Sequence, residues 1–232
     1  PSVAAFQLPF LFTDYDQARA ALYEGDYGYQ LIGDVASLGF TVNGIVPDGF
    51  RVMTMNKKVE SLADMHGLKM RMPNLEIMVE IGNYLGFAVT PMSMTEVFSA
   101  LEQGVIDGQE NPPSTIRSQG WYEIQDYLLV SNHVFTSLFL CVNNDFYNSL
   151  DSELQNILDE VIDETCAQIW DTAQTQAQED LDYMSSEGGI EVYEPSDSFR
   201  QEMVEATAPM YDNMYETAPE VEEVINAIQA IQ

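Results

Sequence analysis

Basic residues are scarce in this chain. Of 232 residues only eight are Lys or Arg, against 38 Asp and Glu, and the formal net charge is -30. After Arg117 the sole basic residue is Arg200. Nucleic acid and anionic lipid repel such a polyanion, so neither is an expected partner. Cysteine is nearly missing as well, with only Cys141 and Cys166. No CxxC, HExxH or paired Cys/His spacing occurs, so no structural or catalytic zinc is expected. Two thiols leave one disulfide or two buried thiols equally open. There are only two histidines, His66 and His133. No GxSxG elbow and no Gly-rich phosphate loop is present, which removes the usual hydrolase and nucleotide signatures. Long apolar runs are absent too. The longest, around Val134 to Val142, is strand-sized, far below the roughly 20 residues of a membrane span. No basic n-region or cleavage site precedes the apolar stretch Phe6 to Phe12, so the sequence reads as if it begins inside a domain.

What is present is a core-forming composition, 46% hydrophobic, enough for one large or two small domains. Helix and strand signals alternate along it. Residues 14–24 read as a helix with Asp14 as N-cap and Gly25 beyond its end. A second helix is expected over 27–38, ended by Gly39. Strands are expected at 40–46 and 50–55, with Pro47-Asp48-Gly49 as a turn between them. A capped turn follows at 61–64. Next come a strand at 68–72, a helix at 74–85, a strand at 88–91 and a helix at 95–102. Further strands fall at 128–130 and 137–142. From Asp151 to about Ser186 there is no Pro or Gly, and apolar residues recur at helical spacing. A helix of that length exceeds 50 Å at ~1.5 Å per residue, longer than a small domain, so it is expected to run across two. A strand near 190–193, a helix over 196–215 and a short final helix complete the chain. This order predicts an α/β chain with sheets covered by helices.

Three strings carry a family resemblance: HGLKMRMPN at 66–74, PMSMTEVFSALEQGVIDGQENPP at 91–113 and YLLVSNHVF at 127–135. FQLPFLFTD at 6–14 and DGFRVMTMNKKVESLADM at 48–65 agree with them. Together they resemble the DctP-type solute-binding proteins of TRAP transporters. The resemblance implies a two-lobed clamshell like the periplasmic binding proteins, with ligand in the cleft and the long helix bridging both lobes. Residues 1–48 and 137–176 would form the first lobe, and 49–136 and 177–232 the second. It implies that Arg71 makes a bidentate salt bridge with a ligand carboxylate. A planar guanidinium suits that task because it matches the carboxylate fork and stays charged when buried. Arg51 would be a second polar contact, or a structural ion pair. Asn111 would hydrogen-bond ligand, and Asn74, Met94 and His133 would line the cleft, although Met94 could equally be core and His133 a satisfied structural histidine. Gln109 and Glu110 would stabilise the loop.

The expected function is capture of a small organic acid on the periplasmic or extracellular side of the cytoplasmic membrane, then delivery to a TRAP membrane permease. Sugar acids such as uronates or aldonates fit best, because Arg51, Asn74 and Asn111 offer polar contacts beyond one carboxylate. C4-dicarboxylates come next. No reaction, cofactor or metal is needed. A ligand-sensing domain of the same fold and an acid-pair hydrolase are the rival functions. Family members carry a segment before the LPFLF stretch. Without it, Phe6, Leu8, Phe10, Leu11 and Phe12 are expected to be left uncovered, and a lipid anchor, if any, would lie upstream.

Overall fold

A computed structural model describes residues 2–33 and 35–231. The strands are β1 (Phe40–Phe50), β2 (Val52–Met55), β3 (Lys69–Met72), β4 (Ala88–Pro91), β5 (Gly108–Asn111), β6 (Tyr127–Leu129), β7 (Phe135–Asn143) and β8 (Glu191–Tyr193). The helices are α1 (Tyr15–Arg19), α2 (Tyr27–Ile32), α3 (Leu62–Met65), α4 (Glu76–Tyr84), α5 (Met94–Glu102), α6 (Pro113–Ser118), α7 (Asn144–Ser149), α8 (Ser152–Ser186), α9 (Asp197–Thr207), α10 (Pro209–Thr217) and α11 (Glu222–Gln229). Strands β1 and β7 pair antiparallel as one sheet, and a six-stranded sheet runs β4-β3-β5-β2-β6-β8.

The larger sheet is buried on both faces, as the alternation of its strands requires. Met53 and Met55 of β2, with Met70 and Met72 of β3, enter one core. Val52 and Leu128 enter the other, against Val97, Leu101, Ile116 and Trp121. Helix α8 joins the two sheets. It opens on Asp151, whose side chain accepts from Leu154 N, and runs 35 residues without a break. Trp170 lies in the core beside the small sheet and donates to Ile45 O at 2.9 Å. Met184, four turns on, lies in the core of the large sheet.

Local departures from expectation have local causes. Pro47-Asp48-Gly49 does not turn the chain. Strand β1 continues through it, with pairing shifts after Val42 and after Pro47, so the extra residue is absorbed as a bulge and Gly49 takes φ 109°. The helix expected over 27–38 ends at Ile32 because Gly33 adopts φ 67°; Asp34 is outside the described residues, and Ala36–Leu38 forms a separate 3-10 turn. The helix expected over 196–215 is two, since Pro209 brings no N–H and starts α10 at its first position. Helix α5 opens one residue early on a capping box between Ser93 and Glu96. Both cysteines are free thiols, Cys166 buried and Cys141 exposed.

The apolar N-terminal segment also corrects an expectation. Phe6, Leu8, Leu11 and Phe12 are all buried. Phe6 packs edge-on against Phe139, and Phe12 against Phe135. The C-terminal helices reach the same region, where Tyr211 donates to Pro9 O at 2.9 Å and Gln17 to Ile228 O at 3.1 Å. Exposed apolar side chains lie instead at Leu138, Phe146, Leu154, Ile157 and Val161, on β7, α7 and the first half of α8.

Candidate functional site at the carboxyl ends of the large sheet

Strand directions gather the candidate residues before any side chain is considered. β3 runs parallel to β4 and β5, β2 runs antiparallel to β5 and β6, and β8 runs parallel to β6. The carboxyl ends of β3, β4, β5, β6 and β8 therefore share one edge with the start of β2. In open α/β sheets that edge is where ligand crevices form. Arg71 and Asn74 come from the end of β3, Met94 follows β4, and Asn111 ends β5. Arg51 immediately precedes β2, and His133 follows β6.

Arg51, Arg71, Asn111 and His133 are all buried there, whereas Met94 and Asn74 are exposed. Arg51 is also the single residue between β1 of the small sheet and β2 of the large one. Its guanidinium is committed to Glu110, with Nε 2.5 Å from Oε2 and Nη2 2.9 Å from Oε1. Nη2 also donates to Glu110 O at 2.9 Å. His133 Nε2 lies 3.3 Å from Glu110 Oε2, and Ser131 Oγ is 2.8 Å from His133 Nδ1. Glu110 is completely buried. Burial alone would raise its carboxyl pKa, but Arg51 and His133 outweigh it and hold the group below the usual range.

Arg71 is in a different electrostatic position. Its Nε and Nη2 donate to a single backbone acceptor, Met92 O, at 3.1 and 2.9 Å. No carboxylate forms an ion pair with it among the described residues. Desolvation lowers its pKa, Glu110 raises it, and neighbouring Arg51 lowers it further. Glu110 is already matched by Arg51, so Arg71 contributes a net positive charge to a desolvated edge. Asn111 donates its Nδ2 to Gln109 Oε1 at 2.8 Å, and Gln109 donates to Thr54 Oγ1 at 2.9 Å. That chain of amides leaves Asn111 Oδ1 as an acceptor beside the edge. The arrangement can bind an anion through Arg71 and polar groups through Asn111.

Gln109 and Glu110 were expected to stabilise a loop; they are instead part of β5, buried between β2 and β3. Sequence reasoning missed that strand, and with it the acid that neutralises Arg51. Ser131 was missed as well. A cavity of 620 Å³ lies between the N-terminal residues 3–8, α4 and α10, and none of these side chains lines it.

Two joined α/β lobes with an anion-receptive edge define a solute-binding protein of the clamshell type. The chain belongs to the DctP family, bacterial extracellular solute-binding protein family 7, whose profile matches residues 1–218. It is 30% identical to the C4-dicarboxylate-binding periplasmic protein DctP of Rhodobacter capsulatus, over 91% of this chain and 63% of that protein. A TRAP periplasmic solute-binding protein from Haemophilus influenzae, solved with bound L-gulonate, superposes with a TM-score of 0.86 at 31% identity. The match covers 97% of this chain and 73% of that one. The corresponding protein from Chromohalobacter salexigens with bound D-glucuronate gives 0.92 at 25% identity, over 100% and 76%. The chain thus spans less than two thirds of the length of the Rhodobacter relative. The family and these neighbours are binding proteins, not enzymes. No described helix is long and apolar enough to cross a membrane.

Proposed function

We propose that this protein captures a small organic acid outside the cytoplasmic membrane and delivers it to the permease subunits of a TRAP transporter. One observation carries the reading. In a chain of net charge -30, Arg71 is buried at the carboxyl edge of the sheet and paired to no acid among the described residues. A ligand carboxylate supplies the missing counter-charge in bidentate form. Closure of the lobes desolvates both partners together and strengthens the pair. The lobes are proposed to divide as 1–48 with 137–176 and 49–136 with 177–232, with Arg51 at one crossover between them.

The favoured ligands are sugar acids, uronates or aldonates, ahead of C4-dicarboxylates. Asn111 and the exposed Asn74 offer amide groups for hydroxyls, and Arg51 has no spare net charge for a second carboxylate because Glu110 already matches it. The bound L-gulonate and D-glucuronate of two structural neighbours support this choice, whereas the Rhodobacter relative's name supports the dicarboxylate. Thermal shift and calorimetry with D-glucuronate, L-gulonate and succinate test it, since a ligand bound only by the folded state raises the melting temperature. Stabilisation by the two sugar acids above that by succinate is expected. No response to any of the three overturns the carboxylate assignment, and a succinate preference overturns the ligand class.

A further inference from the structure

Arg200 is the only basic residue after position 117, yet it makes no ion pair with any acid among the described residues. Its charge reaches Glu194, whose carboxyl pKa is raised by burial and only partly offset by Arg200. The guanidinium is spent on two other groups. Its carbon lies 5.4 Å from the centroid of the Phe10 ring, and Nη1 donates to Ser131 O at 3.5 Å. These contacts tie α9 to both the N-terminal segment and the stretch 130–134 that crosses from β6 to β7.

Backbone strain sits beside that crossover, at Phe10. Among the described residues only Phe10 (φ 57°) and Asn132 (φ 46°) are non-glycine residues in the left-handed region. Asparagine tolerates that conformation, whereas phenylalanine does so rarely. Both meet at this place, because Phe10 N donates to His133 O at 2.9 Å. Strained backbone persists only where its surroundings over-determine it. The surroundings here are unusually complete. Ser131 is fully buried, and each of its polar groups is engaged: N with Leu129 O, O with Arg200, and Oγ with Arg51 O and His133 Nδ1. His133 in turn touches the carboxylate that holds Arg51.

We infer that Arg200 is a positioning residue. From outside the site it clamps Phe10 and the Ser131–Asn132–His133 crossover, and so fixes the ring of His133 and the Arg51–Glu110 pair behind the anion position. The effect on ligand rests on the carboxylate-binding reading; the effect on the crossover does not.

Amide hydrogen exchange of Phe10, whose N–H is bonded to His133 O, reads the clamp directly. Arg200→Met should accelerate that exchange about fivefold, the scale of one cation–π contact, and should shift the His133 ring nitrogen resonances. Arg200→Lys keeps a cation over the ring and should recover part of both effects. The dissociation constant for D-glucuronate should rise in Arg200→Met by a similar factor. Phe10→Leu removes the ring while leaving the cation, and should reproduce the faster exchange if Arg200→Met does not fold. Arg71→Ala should weaken D-glucuronate binding by roughly 30-fold or more and leave Phe10 exchange unchanged, which separates failure of the carboxylate reading from failure of the clamp. Wild-type exchange and wild-type His133 resonances in Arg200→Met would overturn the inference, as would an Arg200→Lys variant no better than Arg200→Met.

Discussion

Replacing Arg71 should act oppositely on stability and on binding, and this follows from its partners. In the ligand-free protein its guanidinium is buried and, among the described residues, bonded only to Met92 O. An uncompensated buried cation costs desolvation energy, so Arg71→Met, which keeps the volume and removes the charge, should leave urea stability unchanged or raise it slightly. In the proposed complex the same group would be one half of a desolvated charge pair. Truncating one partner of such a pair costs about 2–5 kcal/mol, or roughly 30-fold to several thousand-fold in affinity. Arg71→Lys keeps the charge without the fork and should lose a large part of that affinity, since the ammonium offers a point charge where the site is built for a plane. Calorimetry with D-glucuronate and urea denaturation of the same samples give both numbers. If Arg71→Met lost stability by several kcal/mol, Arg71 would be a structural residue held by its carbonyl contact. If it bound D-glucuronate like the wild type, the clamp assignment would be wrong whatever the stability.

Four further outcomes follow from the contacts and the charge. Glu110→Ala leaves Arg51 buried without its acid and should cost about 3–5 kcal/mol in urea denaturation; a near-neutral result would refute the pairing as the source of stability. Because the Glu110 pKa is depressed on folding, its stabilisation is complete above the unfolded value near ~4.3 and is lost as pH falls through the folded value. Stability of the wild type should therefore drop below about pH 4 more steeply than that of Glu110→Gln, and equal slopes would count against it. Gly44→Ala places a Cβ 2.5 Å from Cys166 Sγ and 3.3 Å from Leu140, an overpacking of about 1–3 kcal/mol that Cys166→Ala should largely relieve in the double variant. Finally, a net charge of -30 repels itself at low ionic strength, so the melting temperature should climb as sodium chloride is added from near zero; a flat curve would mean that the acids are locally compensated.

Sequence pattern exposed the parts of the fold whose period is unambiguous. Helix α8 could be read almost to the residue, because 35 positions without Gly or Pro and with a recurring apolar face admit little else. Asp14 was legible as a cap, and 61–64 as a capped turn, because each puts a short acceptor before a helical run; the cap at Asp151 came only with the structure. Strand β5 was not legible. Gly108-Gln109-Glu110-Asn111 is a depleted composition for a strand, and its place between β2 and β3 is justified only by partners far away in sequence. Thr54, Arg51 and His133 satisfy its side chains. A central strand made of polar groups is the opposite of what a period-2 pattern looks for, and it exists here because Gln109, Glu110 and the Asn111 amide nitrogen each have a hydrogen-bond or ion-pair neighbour.

The same distinction governs the site. Arg71 and Arg51 look alike in sequence, each a lone cation on a strand edge, and local pattern gives no ground for ranking them. Pairing β2 and β3 with β5 ranks them. Both arginines are brought to one buried edge, a single acid arrives between them, and geometry awards it to Arg51. The residual charge then falls on Arg71 by elimination. Had Glu110 turned toward Arg71 instead, the motif would be unchanged and the anion site would be filled from within. On the proposed reading, the function of this edge therefore depends less on the presence of an arginine than on which arginine the buried glutamate leaves alone.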